Sequence, residues 1–251
     1  MPDTVSPAQH NGAWNEVDSQ PLRPVMHLPM IAFIVCSLVL DEAAVRADPG
    51  LARPQRMLPG EFETQDAILI GWQAKDPIIR QVLISIVSIA ATNVPVLVLA
   101  DDAFEQRDAV QALSLSGIAP KSIHILTVPC DTIWVRDFGP IAVTTSAGPP
   151  QIIDLEYAGK RRRKDDHVPQ RVAQFLRMRA IPAGLSLEGG NLLSNGRGSL
   201  LSTSRILDQN FDRGLGYRDV TQRLQHLYGC RTPILLEPLQ GEPTGHIDMF
   251  A

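Results

Sequence analysis

The chain has 251 residues, of which 44% are hydrophobic and 20% charged, an ordinary globular mix that excludes collagen, a coiled coil or low-complexity disorder as its main architecture. A formal net charge of -4 argues against a dedicated nucleic-acid binder, whose footprint is a strongly basic face. Three cysteines, Cys36, Cys130 and Cys230, allow one internal disulfide at most and so exclude a disulfide scaffold.

The first 25 residues are rich in Pro, Asp, Gln and Asn, show no apolar period, and read as disordered. Met30–Leu40 is an uncharged apolar run of 11 residues, too short for a bilayer span, which needs about 20. It has the shape of a secretory h-region, and Ala44-Val-Arg-Ala47 offers a small-residue cleavage site. A secreted or periplasmic location is favoured, and a cytoplasmic one follows if the run is instead a buried helix. Residues 1–56 are thus expected to stand apart from one folded domain, 57–251, with no stable membrane span.

Within that domain Asp66–Trp72 predicts a buried strand, being a short apolar run with polar flanks. Pro77 opens a helix in which Ile78, Val82, Ile86 and Ile89 keep helical spacing. Pro95–Ala100 predicts a second buried strand, followed by a helix capped by Asp101 or Asp102 and ended by Gly117. Ile123–Val128, Ile141–Thr145 and Ile152–Tyr157 read as further strands. A helix around Val168–Met178 follows, then strand-like pieces at Leu185–Glu188, Leu192–Ser194 and Leu200–Thr203. Asp219–Tyr228 is the last helix, with Val220, Leu224 and Leu227 on one face and Gly229 as its stop. Pro233–Glu237 and His246–Phe250 are expected to be strands. Strands alternating with helices define an α/β fold with several adjacent strand pairs.

Four segments place polar residues at the ends of apolar strands. In Asp131–Pro140, an extended chain puts Trp134 and Arg136 on one face and Asp137 on the other, with Gly139-Pro140 as a bend. Leu187-Glu-Gly-Gly-Asn191 flanks a glycine pair, suited to close backbone approach or positive φ, with a carboxylate and an amide. Thr244-Gly-His-Ile-Asp248 sets His246 and Asp248 two apart, on one side of a strand. Glu61–Asp66 leads into the strand ending at Trp72, whose ring reads as core packing. The only charge run, Lys160–Lys164, reads as a solvated loop or a substrate-facing anion site. No second histidine or Cys-x-x-Cys completes a metal set, and there is no Gly-x-Ser-x-Gly elbow or Walker loop.

Taken in order, Met57-Leu-Pro-Gly-Glu-Phe-Glu63, Ala67–Trp72, Trp134-Val-Arg-Asp-Phe-Gly-Pro140, Leu187–Asn191 and Gly245-His-Ile-Asp248 resemble the agmatine deiminase and bacterial-type peptidylarginine deiminase family. The resemblance implies a guanidine-modifying propeller of five αβ modules. It also implies hydrolysis of a guanidinium to a ureido group and ammonia through a thiouronium intermediate, with no metal or organic cofactor. Its implied roles put the guanidinium between Asp137 and Asp248, cover it with Trp134, and support it through Asn191. His246 is expected to move protons and Glu188 to orient His246; Arg136 is expected to be structural.

The family's nucleophilic cysteine lies downstream of the Gly-His-x-Asp segment. Cys36, Cys130 and Cys230 are unconvincing substitutes, so the chain reads as carboxyl-terminally truncated, holding about three of five modules and inactive by itself. The expected ligand is a small guanidinium cation such as agmatine, with no nucleic acid and an undefined oligomeric state. Peptidyl-arginine is the alternative, because peptidyl members grip a terminal carboxylate with arginines in the region of Lys160–Lys164. A non-catalytic guanidinium-binding module is the reading from another class.

Overall fold

The computed structural model of the protein describes residues 54–251, apart from 74, 119 and 158–161. Met30–Leu40, Cys36, Lys160 and Arg161 therefore lie outside the described residues.

The chain begins with β1 (Arg56–Met57), β2 (Ile68–Gly71), α1 (Pro77–Ala90), β3 (Val96–Ala100), α2 (Ala103–Leu115) and β4 (Ile123–Thr127). Strands β2, β3 and β4 form a parallel sheet in that order. The uninterrupted apolar string of β3 follows from burial on both faces. Leu97 and Leu99 join Leu69 and Leu126 in the central core. Val96 and Val98 meet Leu83, Ile84, Val87, Ala109 and Leu113 beneath α1 and α2. Asp76 caps α1 by accepting from the Ile78 and Ile79 N–H groups, and Asp102 caps α2 through Phe104 and Glu105.

The stripe Ile78, Val82, Ile86 and Ile89 does keep helical spacing, but it faces away from the core; Ile78 is 76% and Ile89 71% exposed. The packed face is Leu83, Ile84, Val87 and Ala90. Helix α1 is apolar on two sides, so periodicity alone could not say which one packs.

The second group contains α3 (Val135–Phe138), β5 (Ile141–Thr145), β6 (Gly148–Glu156), α4 (Val168–Leu176) and β7 (Arg179–Ser186). Its sheet has the order β1-β5-β6-β7, antiparallel except for the parallel β6–β7 pair. Arg56 belongs to this sheet, opposite Thr145, rather than to the amino-terminal segment. The stretch around Trp134–Asp137, expected to be extended, is a single helical turn. The Asp137 N–H returns to the Trp134 carbonyl at 2.9 Å and the Gly139 N–H to Val135 at 2.8 Å.

The third group contains β8 (Leu193–Ser194), β9 (Ser199–Thr203), α5 (Arg205–Phe211), α6 (Tyr217–Tyr228) and β10 (Thr232–Leu236), with sheet order β10-β9-β8. Helix α6 buries Val220, Leu224 and Leu227 and ends at Gly229, whose φ is +66°. The short helix α5 has no counterpart in the sequence reading. His246–Phe250 is not a strand: Gly245 turns the chain at φ +71°, and Ile247–Met249 is a 3-10 turn. Three α/β units result, matching the mixed architecture expected, with no closed barrel among the described residues. One core runs through them, from Leu58 to Cys230.

Candidate active site

Each unit sends the segment after its last strand towards one place. The segment after β4 carries Asp137, the one after β7 carries Glu188, and the one after β10 carries His246 and Asp248. Segments outside regular structure need partners for their backbone N–H groups, and here polar side chains supply them.

Buried Asp165 holds the first segment, accepting from the N–H groups of Asp131 at 2.6 Å and Thr132 at 3.2 Å and from the Thr132 hydroxyl at 2.9 Å. Asn210, fully buried on α5, holds the end of β7; it accepts from the Ser186 N–H at 2.9 Å and donates to the Ser186 carbonyl at 2.7 Å. Glu242 holds the third through the N–H groups of Thr244, Gly245 and His246.

His246 is buried and lies between two carboxylates. Its Nε2 is 2.5 Å from Glu188 Oε2 and its Nδ1 is 3.5 Å from Asp137 Oδ1. Burial pulls the imidazole pKa down, but the Glu188 hydrogen bond and the charges of Asp137, Glu188 and Asp248 leave it above its ordinary value. Burial pushes the Asp137 carboxyl up to about 6, opposed by His246 and reinforced by Glu188 and Asp248. Asp248 Oδ2 accepts from Arg136 Nε at 3.1 Å, and the same guanidinium pairs with Glu61.

Gly190 is the floor beneath these groups. A Cβ there would lie 2.5 Å from His246 Nδ1, 2.8 Å from Asp137 Oδ1 and 3.0 Å from Asp248 Oδ2. The glycine is needed for this close approach, since its φ is not in the left-handed region. Its neighbour Gly189 lies against the Arg136 carbonyl, so a side chain there would displace the Asp137 turn.

The other sequence-predicted residues fall as follows. Trp134 opens the Asp137 turn and is 57% exposed. Asn191 is buried and ties the glycine turn to β9: its Oδ1 accepts from the Thr203 N–H at 2.9 Å, while its Nδ2 has no partner among the described residues. Trp72 is core, with its indole N–H on Asp108 at 2.9 Å. Cys130 is buried, and burial together with Asp101, Asp165 and Glu105 pushes its thiol up to about 12. Burial raises the Cys230 thiol to about 11. Neither is poised as a thiolate.

The motifs contain Glu61 but not its role, and they miss Asp165, Asn210 and Glu242; these four act on other residues across 2 to 75 positions of sequence. The motifs also miss the Tyr157–Arg162 pair. Arg162 donates to the Tyr157 hydroxyl at 2.6 Å, and the Tyr157 ring packs edge-on against Phe138 in the Asp137 turn. A turn-rich Gly-Glu-Pro-Thr-Gly run was the one available signal for Glu242. Among the described residues no His, Cys, Asp or Glu cluster has a metal-holding arrangement, and no helix is long and apolar enough to cross a membrane.

The fold is shared with a known family. The model of the Porphyromonas-type peptidyl-arginine deiminases matches residues 57–251, and the chain belongs to that family. A Yersinia pseudotuberculosis protein named "Putative agmatine deiminase" is 26% identical over 216 residues, covering 81% of this chain and 59% of the relative. A Lactococcus lactis protein of the same name is 27% identical over 215 residues, covering 77% and 57%. The chain thus spans somewhat over half the length of these curated relatives. Among solved structures, the agmatine deiminase of Enterococcus faecalis is similar with a TM-score of 0.61 at 19% identity, over 73% of this chain and 53% of that one. Campylobacter jejuni agmatine deiminase has a TM-score of 0.59 at 20% identity, over 73% and 55%.

Proposed function

We propose that this chain carries the guanidinium-holding and proton-handling part of a deiminase that converts agmatine to N-carbamoylputrescine and ammonia. The observation that supports this is the meeting of Asp137, Asp248 and His246 over Gly190. A planar guanidinium offers paired N–H donors that match carboxylates. Asp137 and Asp248 approach from two different segments and hold it from two directions. Trp134 covers the cation's face, an attraction of about 0.5–1 kcal/mol at an exposed ring.

Protonated His246, held by Glu188, gives its proton to the departing ammonia and then takes one from the hydrolytic water, a role of about 10²–10⁴ in rate. The attacking thiolate implied by the family is not supplied by Cys130 or Cys230, both buried and protonated. The expected behaviour of this chain by itself is weak binding of agmatine at most and no release of ammonia above blank. Calorimetry tests the reading: agmatine binds, putrescine does not compete, and Asp137→Asn or Asp248→Asn weakens binding at least tenfold. Equal binding of putrescine and agmatine would remove the guanidinium argument.

A second reading, a peptidyl-arginine substrate, is favoured by Arg162. Its guanidinium lies 6.0 Å from the Tyr157 ring centroid, beside the site, where it is able to meet a carboxylate. A carboxyl-terminal arginyl peptide that binds more tightly than agmatine, and loses that margin in Arg162→Ala, selects this reading.

A further inference from the structure

The loop that delivers His246 has no regular secondary structure. Between the end of β10 and the 3-10 turn it makes one backbone–backbone bond, from the Glu242 N–H to the Leu239 carbonyl at 3.1 Å. Three successive N–H groups then find one acceptor. Glu242 Oε1 takes the Thr244 N–H at 3.0 Å and the Thr244 hydroxyl at 2.7 Å. Glu242 Oε2 takes the Gly245 N–H at 2.5 Å and the His246 N–H at 3.2 Å. From the other side the Thr203 hydroxyl donates to the Gly245 carbonyl at 2.5 Å. Gly245 sits at φ +71° between these two anchors, a conformation that a side-chain-bearing residue rarely adopts.

We propose that Glu242 is the positioning residue for His246: its carboxylate sets the loop that places the imidazole between Glu188 and Asp137. This deepens the deiminase reading and rests on it for the meaning of His246, but not for the geometry. Both carboxylate oxygens are in use, each taking two donors. A glutamine keeps one acceptor oxygen and turns an N–H₂ towards two N–H donors, so it cannot reproduce the clamp. The clamp also holds its charge where His246 titrates. The Thr244 hydroxyl and the three N–H bonds, opposed by partial burial, keep Glu242 down at about 2. The histidine therefore changes protonation state on a support that does not. Glu242 touches neither the imidazole ring nor the place where a guanidinium would lie, so it acts through the backbone of 244–246 and the Thr244 hydroxyl.

The test reads the His246 ring in the full, unliganded chain by NMR with carbon-labelled histidine, assigned with His246→Gln among the chain's six histidines. The groups facing the ring are Glu188 beside the glycine turn, Asp137 from α3, and Asp248 from its own 3-10 turn, with Arg136 behind Asp248. In the wild-type chain His246 titrates above an exposed histidine. In Glu242→Gln its midpoint falls by at least half a pH unit towards the ordinary value, and Glu242→Asp, which keeps the charge, recovers part of that shift. An unchanged midpoint in a folded Glu242→Gln overturns the proposal. If that variant does not fold, hydrogen exchange in the wild-type chain decides. Slow exchange at the Gly245 and His246 amides supports the clamp, and exchange as fast as in an open loop overturns it. Because no ligand is present, failure here is separable from failure of agmatine to bind.

Discussion

Gly190 illustrates how tightly the site depends on single atoms. Three polar groups crowd the space where its side chain would be, and clearances of 2.5 to 3.0 Å are below normal contact for a Cβ. Gly190→Ala should part Asp137, His246 and Asp248 and lower agmatine affinity at least tenfold, with near-ultraviolet circular dichroism unchanged. Gly214 is the control: its φ is +71° but nothing lies within 4 Å of a Cβ. Gly214→Ala should cost about 1–2 kcal/mol of stability through its left-handed backbone and leave binding alone. Equal affinity in Gly190→Ala and the wild-type chain would show that the carboxylates do not act together.

At this scale much of the site was legible. The motifs name Asp137, Glu188, His246 and Asp248, and those four side chains meet. What could not be read is how they are held. Asp165, Asn210 and Glu242 each bind backbone N–H groups, and backbone groups have no signature in a string of residue names. The glycine pair left two explanations open, positive φ or close approach, and only a neighbour from another segment selects the second for Gly190. The two-residue spacing of His246 and Asp248 suits a strand. Gly245 and the Glu242 carboxylate turn that segment instead.

Among the elements, α1 shows the limit of periodicity. Its sequence satisfies helical spacing twice, through Ile78, Val82, Ile86 and Ile89 and through Leu83, Ile84, Val87 and Ala90. The β3 face it meets decides between them. Ile84→Ala should therefore cost about 2–5 kcal/mol in chemical denaturation, the range for a large-to-small core change. Ile78→Ala should stay within about 0.5 kcal/mol of wild type. A reversed order would mean that α1 packs by the other face. Strands β3 and β4 are legible in the sequence because they are short apolar runs with clear ends. Helix α5 was missed because seven residues with Asp, Gln and Asn among them carry little apolar period.

Over the whole molecule the raised carboxyl groups set an uncommon pH response. Burial pushes Asp66 up to about 7, and burial leads the rise of Asp137 to about 6. In both cases the native state keeps a proton that the unfolded chain gives up near its ordinary value. Their contribution is present at pH 4 and lost as pH rises through 6 to 7. His246, also raised, adds the same sign above its ordinary value, whereas His124, lowered by burial, opposes it. Below pH 4 the lowered groups Asp102, Asp108, Glu156 and Glu242 lose their native bonds, so stability falls there too.

Thermal melts should thus be highest near pH 4 to 5 and decline towards pH 8. Asp66→Asn should flatten that decline. Asp66 is only half-buried, so water screens the effect, leaving a gain of about 1 kcal/mol, or roughly 2–4 °C, at pH 8. A steeper decline in that variant would place the sensitivity elsewhere.

The Glu61–Arg136–Asp248 chain of ion pairs joins positions 75 and 112 residues apart. A ribosome makes the two ends of that chain at well-separated times. Asp137 and Glu188 emerge and can pack well before His246 does. In the interval the nascent protein carries Asp137 and Glu188, with Arg136 near them, but no histidine between the carboxylates. Docking of the last segment thus completes two ion pairs at once, His246 with Glu188 and Asp248 with Arg136, and a nascent chain stalled shortly before residue 246 would leave Glu188 and Asp137 without their histidine.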